Sequence, residues 1–251
     1  MTIVISTRRV IRALAALVAF LVLASVTVKF AEPFLTVRWM KTLVRIFDVD
    51  SEQNLPSWFS SVALLAAAAL LAVIASGKKR KEPYFLHGWA LALIFLGLSV
   101  DEMVSIHELT IGTVRRTLRV GGIFYFAWVI PGMIFVALFA LAYLKFLRDL
   151  PASTRNQFLG AGTVYVAGAI GFEMLGGRQA AALLKQGIPY ETQFSYWALA
   201  TVEELLEMIG IVLFIRALLL YLSRLGELSI RVVPQRLETT PPPASEERQT
   251  G

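Results

Sequence analysis

Acidic residues occur inside apolar stretches of this sequence, where ionisable side chains are rare. Seven of them lie within or at the edge of segments long enough to cross a bilayer: Asp101, Glu102, Glu108, Glu173, Glu203, Glu204 and Glu207. An ionised side chain at the centre of a membrane helix costs about 3 kcal/mol on insertion scales and more in simulations. This load of charge indicates a functional site, because acidic groups without a partner or a task would only destabilise the spans.

Carboxylates that converge in an apolar environment need shared protons or a cation to neutralise them. Oxygen ligands favour Mn, Mg or Ca, and one imidazole would also admit Fe, so the predicted cofactor is a divalent metal of this group. The principal candidate ligands are Asp101, Glu108, Glu173, Glu203 and Glu207. Glu102, Glu204 and His107 are secondary candidates, and His107 is also the candidate general acid or base.

Spacing along a helix sorts these residues into faces. Residues seven apart differ by about 20° in direction, so Asp101 and Glu108 share one face of a continuous helix. Such a helix cannot aim His107 at the same point, and a helix end near His107 is the alternative. Glu203 and Glu207 are four apart and also share a face. Pairing of this second acidic string with Arg178 or Lys185 is its alternative interpretation.

The composition indicates an integral membrane protein. Of the 251 residues, 57% are hydrophobic and 17% are charged, whereas an average soluble domain has about 45–50% apolar and about 25% charged residues. The chain has no cysteine, which excludes a disulfide framework, a thiolate nucleophile and a Cys metal site. It has two histidines, which excludes a His-rich metal centre built by one chain.

Six apolar segments are each about long enough to cross a bilayer as a helix. They cover residues 10–28, 58–75, 84–100 with its continuation, 123–143, 158–175 and 196–222. We predict an all-α integral membrane bundle of six transmembrane helices with short loops in residues 1–225. A disordered cytoplasmic tail, rich in proline and glutamate, is predicted for residues 226–251.

The first loop outside the spans has its own helical pattern. Arg38, Lys41, Arg45 and Asp48 recur at helical spacing, and apolar residues alternate with them. This pattern predicts an amphipathic helix over residues 34–48 that lies on the outer surface of the membrane. A solvated loop is the alternative.

Lysine and arginine predict the orientation of the chain. The run Lys78–Lys81 lies in a short loop, and Arg8 and Arg9 precede the first segment, which we expect to be an uncleaved span. Cytoplasmic loops are rich in such residues, so both termini are predicted to be cytoplasmic. All seven acidic residues then lie in the outer half of the membrane. The net charge of +6 reflects this topology and contact with the bilayer and its anionic headgroups, not nucleic acid.

Three arginines follow the third span on the predicted outer side: Arg115, Arg116 and Arg119. Contact with lipid phosphates is the favoured interpretation of this basic segment. Recognition of an anionic substrate is the alternative.

The string Ser99-Val100-Asp101-Glu102, followed by His107-Glu108, resembles one in uncharacterised multipass membrane proteins of bacteria (S-x-D-E-x4-H-E). Residues 203–207 match this string more weakly. The resemblance implies a location in the bacterial inner (plasma) membrane and no known activity. Two better-known families do not fit: membrane CAAX-type proteases have an arginine where this chain has Met208, and di-iron carboxylate proteins use Glu-x-x-His pairs.

Three functions remain open from the sequence. The first is transport, in which the carboxylate layer binds a cation or protons. The second is a membrane-embedded, metal-dependent enzyme that acts on a lipid or lipophilic substrate from the outer side. The third is a non-catalytic assembly or sensor subunit, whose acidic residues pair with basic residues of a partner helix.

Overall fold

A computed structural model describes residues 6–35 and 37–225, in which the regular structure is helical. The α-helices are α1 (Thr7–Ala31), α2 (Arg38–Phe47), α3 (Leu55–Ser76), α4 (Phe85–Val104), α5 (Ile106–Leu118), α6 (Val129–Asp149), α7 (Ala152–Val166), α8 (Glu173–Lys185) and α9 (Phe194–Leu225). A π-helical segment, Ala167–Phe172, joins α7 to α8 without a break. The tail predicted for residues 226–251 lies outside the described residues.

Six stretches of the described chain are long and apolar enough to cross a membrane: Thr7–Ala31, Leu55–Ser76, Phe85–Val104, Val129–Asp149, Ala152–Lys185 and Phe194–Leu225. Large apolar side chains such as Phe20, Leu23 and Leu141 are exposed on α1 and α6, as expected for surfaces that face lipid. The prediction of an all-α membrane bundle is confirmed. The chain is a multipass membrane protein.

The spans define two ends of the bundle. At one end, α1, α4 and α8 finish and α3, α6 and α9 begin; we call it the carboxylate end. The other end contains the loop with Lys78–Lys81, and we call it the lysine end. Between them lies an apolar core built mainly from α3, α4 and α9, in which Leu64 and Leu218 are fully buried. Phe95 and Phe214 stack across this core with ring centroids 4.5 Å apart.

Helix α9 packs along α7 because glycine permits a close backbone approach. A Cβ atom at Gly210 would lie 2.8 Å from the backbone nitrogen of Tyr165. Helices α3 and α4 pair through two buried serines. The Ser61 hydroxyl donates to the Ser99 carbonyl at 2.7 Å, and the Ser99 hydroxyl donates to the Ser61 carbonyl at 2.8 Å. Such small polar residues join helices in a membrane, where apolar contact alone is a weak driving force.

The third span does not continue as one helix through Asp101 and Glu108. Helix α4 ends at Val104, Ser105 takes a left-handed conformation (φ 56°), and α5 begins at Ile106. The Asp101 carboxylate explains the break, since its Oδ1 accepts the His107 backbone N–H at 2.9 Å and so caps α5. The prediction that Asp101 and Glu108 share a face of one helix is therefore wrong, and the alternative of a helix end near His107 is correct.

The amphipathic helix predicted for residues 34–48 is present as α2, over Arg38–Phe47. Asp48 was expected on its charged, solvated face and is instead buried. Its Oδ2 lies 2.6 Å from Lys29 Nζ at the end of α1. The backbone nitrogen of Val49 also donates to Ser25 Oγ on α1 at 3.1 Å. These contacts hold the following loop, residues 48–54, against the carboxylate end.

Candidate functional site

The carboxylate end brings acidic side chains together from the loop before α3 and from α4, α5, α8 and α9. The loop before α3 adds Asp50 and Glu52 to the predicted residues. The junction of α4 and α5 contributes Asp101, Glu102, His107 and Glu108, and α8 and α9 contribute Glu173, Glu203, Glu204 and Glu207. Their charges lie close enough to interact with one another. The structure therefore groups all the predicted residues in one region, which divides into an outer group and an inner group.

The outer group consists of Glu52, Asp101, His107 and Glu108. It is organised by an ion pair between Asp101 and His107. His107 Nδ1 lies 2.8 Å from Asp101 Oδ2, and the same carboxylate accepts the His107 backbone N–H. Burial lowers the pKa of His107, but the hydrogen bond and the negative charge of Asp101 outweigh it, so the pKa is raised. With Nδ1 engaged, Nε2 is the ring nitrogen that remains for another ligand.

Glu52, His107 and Glu108 form a compact set of metal-ligand atoms. One ligand atom from each lies within 4.8 Å of the other two, and no other set of three acidic or histidine side chains in the described residues meets this distance. Ligands bound at about 2.1 Å to one ion can be at most about 4.2 Å apart. Three ligands of the same ion average at most about 3.6 Å from one another, so the set would have to draw together to hold an ion, and Glu108 is exposed enough to move.

Two buried polar atoms beside this set have no hydrogen-bond partner. They are Glu52 Oε2 and Ser105 Oγ, and Ser105 is 8% exposed. The Ser105 hydroxyl lies close enough to the Glu52 carboxyl to favour its ionised form. Burial is the larger effect and raises the pKa of Glu52, although the charge of His107 opposes this shift.

The inner group consists of Glu102, Glu173, Glu203, Glu204 and Glu207. The carboxyl groups of Glu173 and Glu203 lie next to each other, and Glu207 lies beside Tyr165 on α7. Like charges in a low dielectric repel strongly, so neighbouring carboxyl groups of this kind favour a shared proton or a bound cation.

Trp128 links the two groups. Its Nε1 donates to Glu173 Oε1 at 2.6 Å, and its ring contacts the His107 ring with centroids 4.7 Å apart. Trp128 thus fixes both a carboxylate of the inner group and the imidazole of the outer group. Trp128 was not among the predicted site residues.

The π-helical segment positions the inner group. Gly168 lies in it, and a Cβ atom there would be 2.7 Å from the Glu203 carbonyl oxygen and 3.0 Å from Glu207 Cγ. The glycine therefore allows the fifth span to approach α9 at the level of the acidic residues. Single π-helical turns are frequent at functional sites because they re-aim the residues that follow, here Glu173.

Asp50 was not among the predicted site residues. Burial and the charge of Asp48 raise its pKa to about 7, against the opposing effects of Lys29 and a hydrogen bond from Tyr196. The Tyr196 hydroxyl lies 3.2 Å from Asp50 Oδ1. A signal for this segment exists in the sequence: Asp48, Asp50 and Glu52 place three acids in five residues next to a span.

The alternative pairing of the second acidic string with Arg178 or Lys185 is not observed. Among the described residues, the ion pairs within 4.0 Å are Lys29–Asp48 and Asp101–His107. Within residues 6–35 and 37–225, no lysine or arginine therefore lies within ion-pair distance of Glu203, Glu204 or Glu207.

The chain belongs to a family that is described as a domain of unknown function, DUF8692, whose family model matches residues 10–222. The match covers nearly the whole bundle and every residue of the site. No curated protein and no solved structure matches the chain.

Proposed function

We propose that this membrane protein binds a divalent metal ion through Glu52, His107 and Glu108 and uses it for a reaction on one side of the membrane. The observation that carries this proposal is the Asp101–His107 pair beside two further carboxylates. Metal-binding histidines commonly donate their second ring N–H to a carboxylate, which fixes the ring and strengthens the ligand. Asp101 occupies that position and is assigned here as a positioning residue, not a ligand.

The ligand chemistry favours particular ions. Two carboxylates and one imidazole suit Mn²⁺ or Fe²⁺ better than the soft ions that prefer sulfur. A bound divalent ion would act as a Lewis acid toward a substrate oxygen. The chain's own residues would then transfer protons: the carboxyl groups of Glu173 and Glu203 lie next to each other, and Trp128 holds Glu173 near His107.

A reaction on one side fits the structure better than transport through the bundle. The inner group rests on an apolar layer that includes Met208, Ile211 and Phe214. Toward the lysine end, the spans contain no acidic residue in 55–76, 85–100, 129–148, 152–172 and 208–225. A membrane-embedded enzyme needs access from one side only, and its substrate would be a lipid or another lipophilic molecule.

Two other functions fit less well. Proton-coupled transport is the second candidate, because the neighbouring carboxyl groups of Glu173 and Glu203 could pass protons. The apolar layer beneath them argues against it in this conformation. A subunit whose acids pair with a partner helix is disfavoured because Asp48, Asp101 and Glu173 already have partners within the chain.

The proposal is tested by Mn²⁺ titration of the purified protein after treatment with EDTA, followed by electron paramagnetic resonance. Wild type is expected to bind one ion, and Glu52→Gln and His107→Ala to bind at least about tenfold more weakly, as for loss of a ligand. His87→Phe is the matched control, since His87 lies between aromatic rings near the lysine end. Absence of saturable binding of Mn²⁺, Fe²⁺ and Zn²⁺ to wild type would overturn the proposal.

The transport alternative is separated by a vesicle assay. Protein in liposomes that contain a metal-sensitive dye should bind Mn²⁺ at the surface without moving it inside. Accumulation of Mn²⁺ inside the vesicles that is lost in His107→Ala would favour transport.

We further propose that the carboxylate end faces the outside of the cell, with both termini cytoplasmic. The basic run Lys78–Lys81 supports this orientation. Reporter fusions at Lys79 and Lys185 should then report opposite sides of the membrane. The same side for both fusions would contradict the six-span topology.

A further inference from the structure

A second polar site lies at the carboxylate end, apart from the acidic groups. It is an open cleft of about 410 Å³ between α5, α8 and the segment that follows α5. Its charged lining residues are Arg115 on α5 and Lys185 at the end of α8, and none of the described residues that line it is acidic. The cleft therefore carries positive charge, which is complementary to an anion.

Arg115 is held in place without a carboxylate partner. Its guanidinium lies over the Tyr125 ring, 4.5 Å from the centroid, and Nη1 donates to the Tyr125 carbonyl at 3.4 Å. Among the described residues, no acidic group is within ion-pair distance of it. A planar guanidinium fixed in this way still offers donors that match the oxygens of a phosphate group.

The other walls of the cleft are apolar or open. Ala181 and Leu184 form the α8 side, and the Leu184 side chain is 42% exposed. Gly121 lines the opposite side, and a Cβ atom there would meet no other atom within 4 Å. A ligand that fits such a cleft carries an anionic group beside an apolar one.

The cleft lies where a lipid headgroup is expected. Lys185 is the last residue of a membrane-spanning helix, so it marks the membrane boundary at this end. Arginine and lysine at the membrane boundary can donate charge-assisted hydrogen bonds to lipid phosphates in either leaflet. The position and the mixed walls together favour a lipid over a soluble anion.

We propose that the cleft binds the phosphate group of an anionic phospholipid, held between Arg115 and Lys185, with an acyl chain against Leu184. Arg115 lies seven residues beyond Glu108 on α5, which corresponds to about 10 Å along the helix axis. The lipid site is therefore a neighbour of the proposed metal site and shares no residue with it. The proposal does not depend on metal binding.

The test measures retention of phosphatidylglycerol by native mass spectrometry after reconstitution into phosphatidylcholine bilayers that contain a minor share of phosphatidylglycerol. Arg115→Gln and Lys185→Gln should each retain about tenfold less, the effect of losing one charge-assisted hydrogen bond. Gly121→Leu fills the cleft without changing charge and should reduce retention similarly. Arg116→Gln is the matched control, because it neutralises the next residue of α5, which does not line the cleft.

Three results would overturn the proposal. Equal loss in Arg116→Gln would show general attraction of lipid to a basic surface. Unchanged retention in Gly121→Leu, with a wild-type melting temperature, would show that the lipid lies outside the cleft. Displacement of phosphatidylglycerol by millimolar inorganic phosphate would identify a soluble anion as the ligand. Phosphatidylglycerol retention should persist in EDTA and in Glu52→Gln. Failure of the proposed metal site would therefore leave the lipid result unchanged.

Discussion

The two ends of this bundle are built from the same helices by different chemistry. Toward the lysine end, α3, α4 and α9 pack through buried apolar side chains such as Leu71 and Leu218. At the carboxylate end, the same three helices carry or adjoin Glu52, Glu102 and Glu207. One end is stabilised by close packing, and the other concentrates charged groups that packing has to hold in place.

The difference indicates how the protein divides stability from function. A ligand site requires each side chain at a fixed position, and the carboxylate end has backbone features that set such positions. These are the left-handed residue Ser105, the π-helical segment and the close approach at Gly168. Residues held in sparsely populated conformations often occur at functional sites.

The apolar core should tolerate mutation least. Leu218→Ala removes a fully buried side chain and should lower the free energy of unfolding by about 2–4 kcal/mol, the range for a large cavity. Mn²⁺ affinity of the folded protein should stay within a factor of about two. Denaturant melts in detergent and Mn²⁺ titrations measure the two quantities. The control is Leu138→Ala on the exposed face of α6; a large affinity loss in Leu218→Ala would show that the two ends are coupled.

Asp50 should make the carboxylate end sensitive to pH. Its pKa of about 7 in the folded state exceeds the ordinary value of 3.8, so the folded state binds the proton more tightly. This contribution to stability is complete below about pH 4 and is lost as the pH rises through 7, by a few kcal/mol in total. In EDTA, Asp50→Asn should therefore melt above wild type at pH 8 and close to it at pH 4.5.

The groups that face Asp50 include Asp48, Lys29, Tyr196 and Glu173, and all of them remain in the Asp50→Asn variant. Glu191→Gln, at an exposed acidic residue of the same end, serves as the control. Equal slopes of melting temperature against pH in wild type and Asp50→Asn would contradict this prediction.

Asp101→Asn should weaken Mn²⁺ binding by about 10- to 100-fold, because a positioning carboxylate fixes the ring of its histidine. Glu203→Gln should change the affinity by less than about threefold, since Glu203 belongs to the inner group. The comparison distinguishes a site formed by Glu52, His107 and Glu108 from the larger ligand set predicted from sequence, which includes Glu203. Equal losses in the two variants would favour one larger site that includes Glu203.

Gly168→Ala should lower the free energy of unfolding by about 1–3 kcal/mol, the range for overpacking. The added methyl group would meet the α9 backbone at 2.7 Å, which a side-chain rotation cannot relieve. Gly162→Ala on α7 is the control, because its Cβ would meet nothing within 4 Å. Thermal melts of both variants measure the difference in stability. Equal stability of Gly168→Ala and Gly162→Ala would argue against the close approach at Gly168.

The smallest effect is expected at the far end of α5. Arg119 has φ 53°, a left-handed conformation that glycine adopts without strain. Arg119→Gly should raise the free energy of unfolding by roughly 0.5 kcal/mol, whereas Arg116→Gly within the helix should lower it by about 1 kcal/mol. Chemical denaturation of both variants tests the sign, and destabilisation of equal size would mean that α5 continues through Arg119.

The spans could be predicted from sequence because each depends on its own composition. A bilayer requires about 20 apolar residues with every backbone group bonded within the helix, so hydropathy along the chain suffices. The same local logic located α2 and most acidic residues of the site. This local logic failed at Asp48. The charged pattern of residues 38–48 gave no indication that Asp48 forms an ion pair with Lys29.

The tertiary structure decided which of these groups meet. Glu52 lies in the site because the loop after α2 is held by Lys29 and Ser25 of α1, which contact residues 19 and 24 positions later. The break at Ser105 turns His107 back onto Asp101. Local periodicity cannot encode such contacts, because a ligand set depends on where several separate helices end relative to one another. The sequence by itself therefore determined a six-span helical membrane protein with acids at one level, and only the packing of those spans selected Glu52, His107 and Glu108 as neighbours.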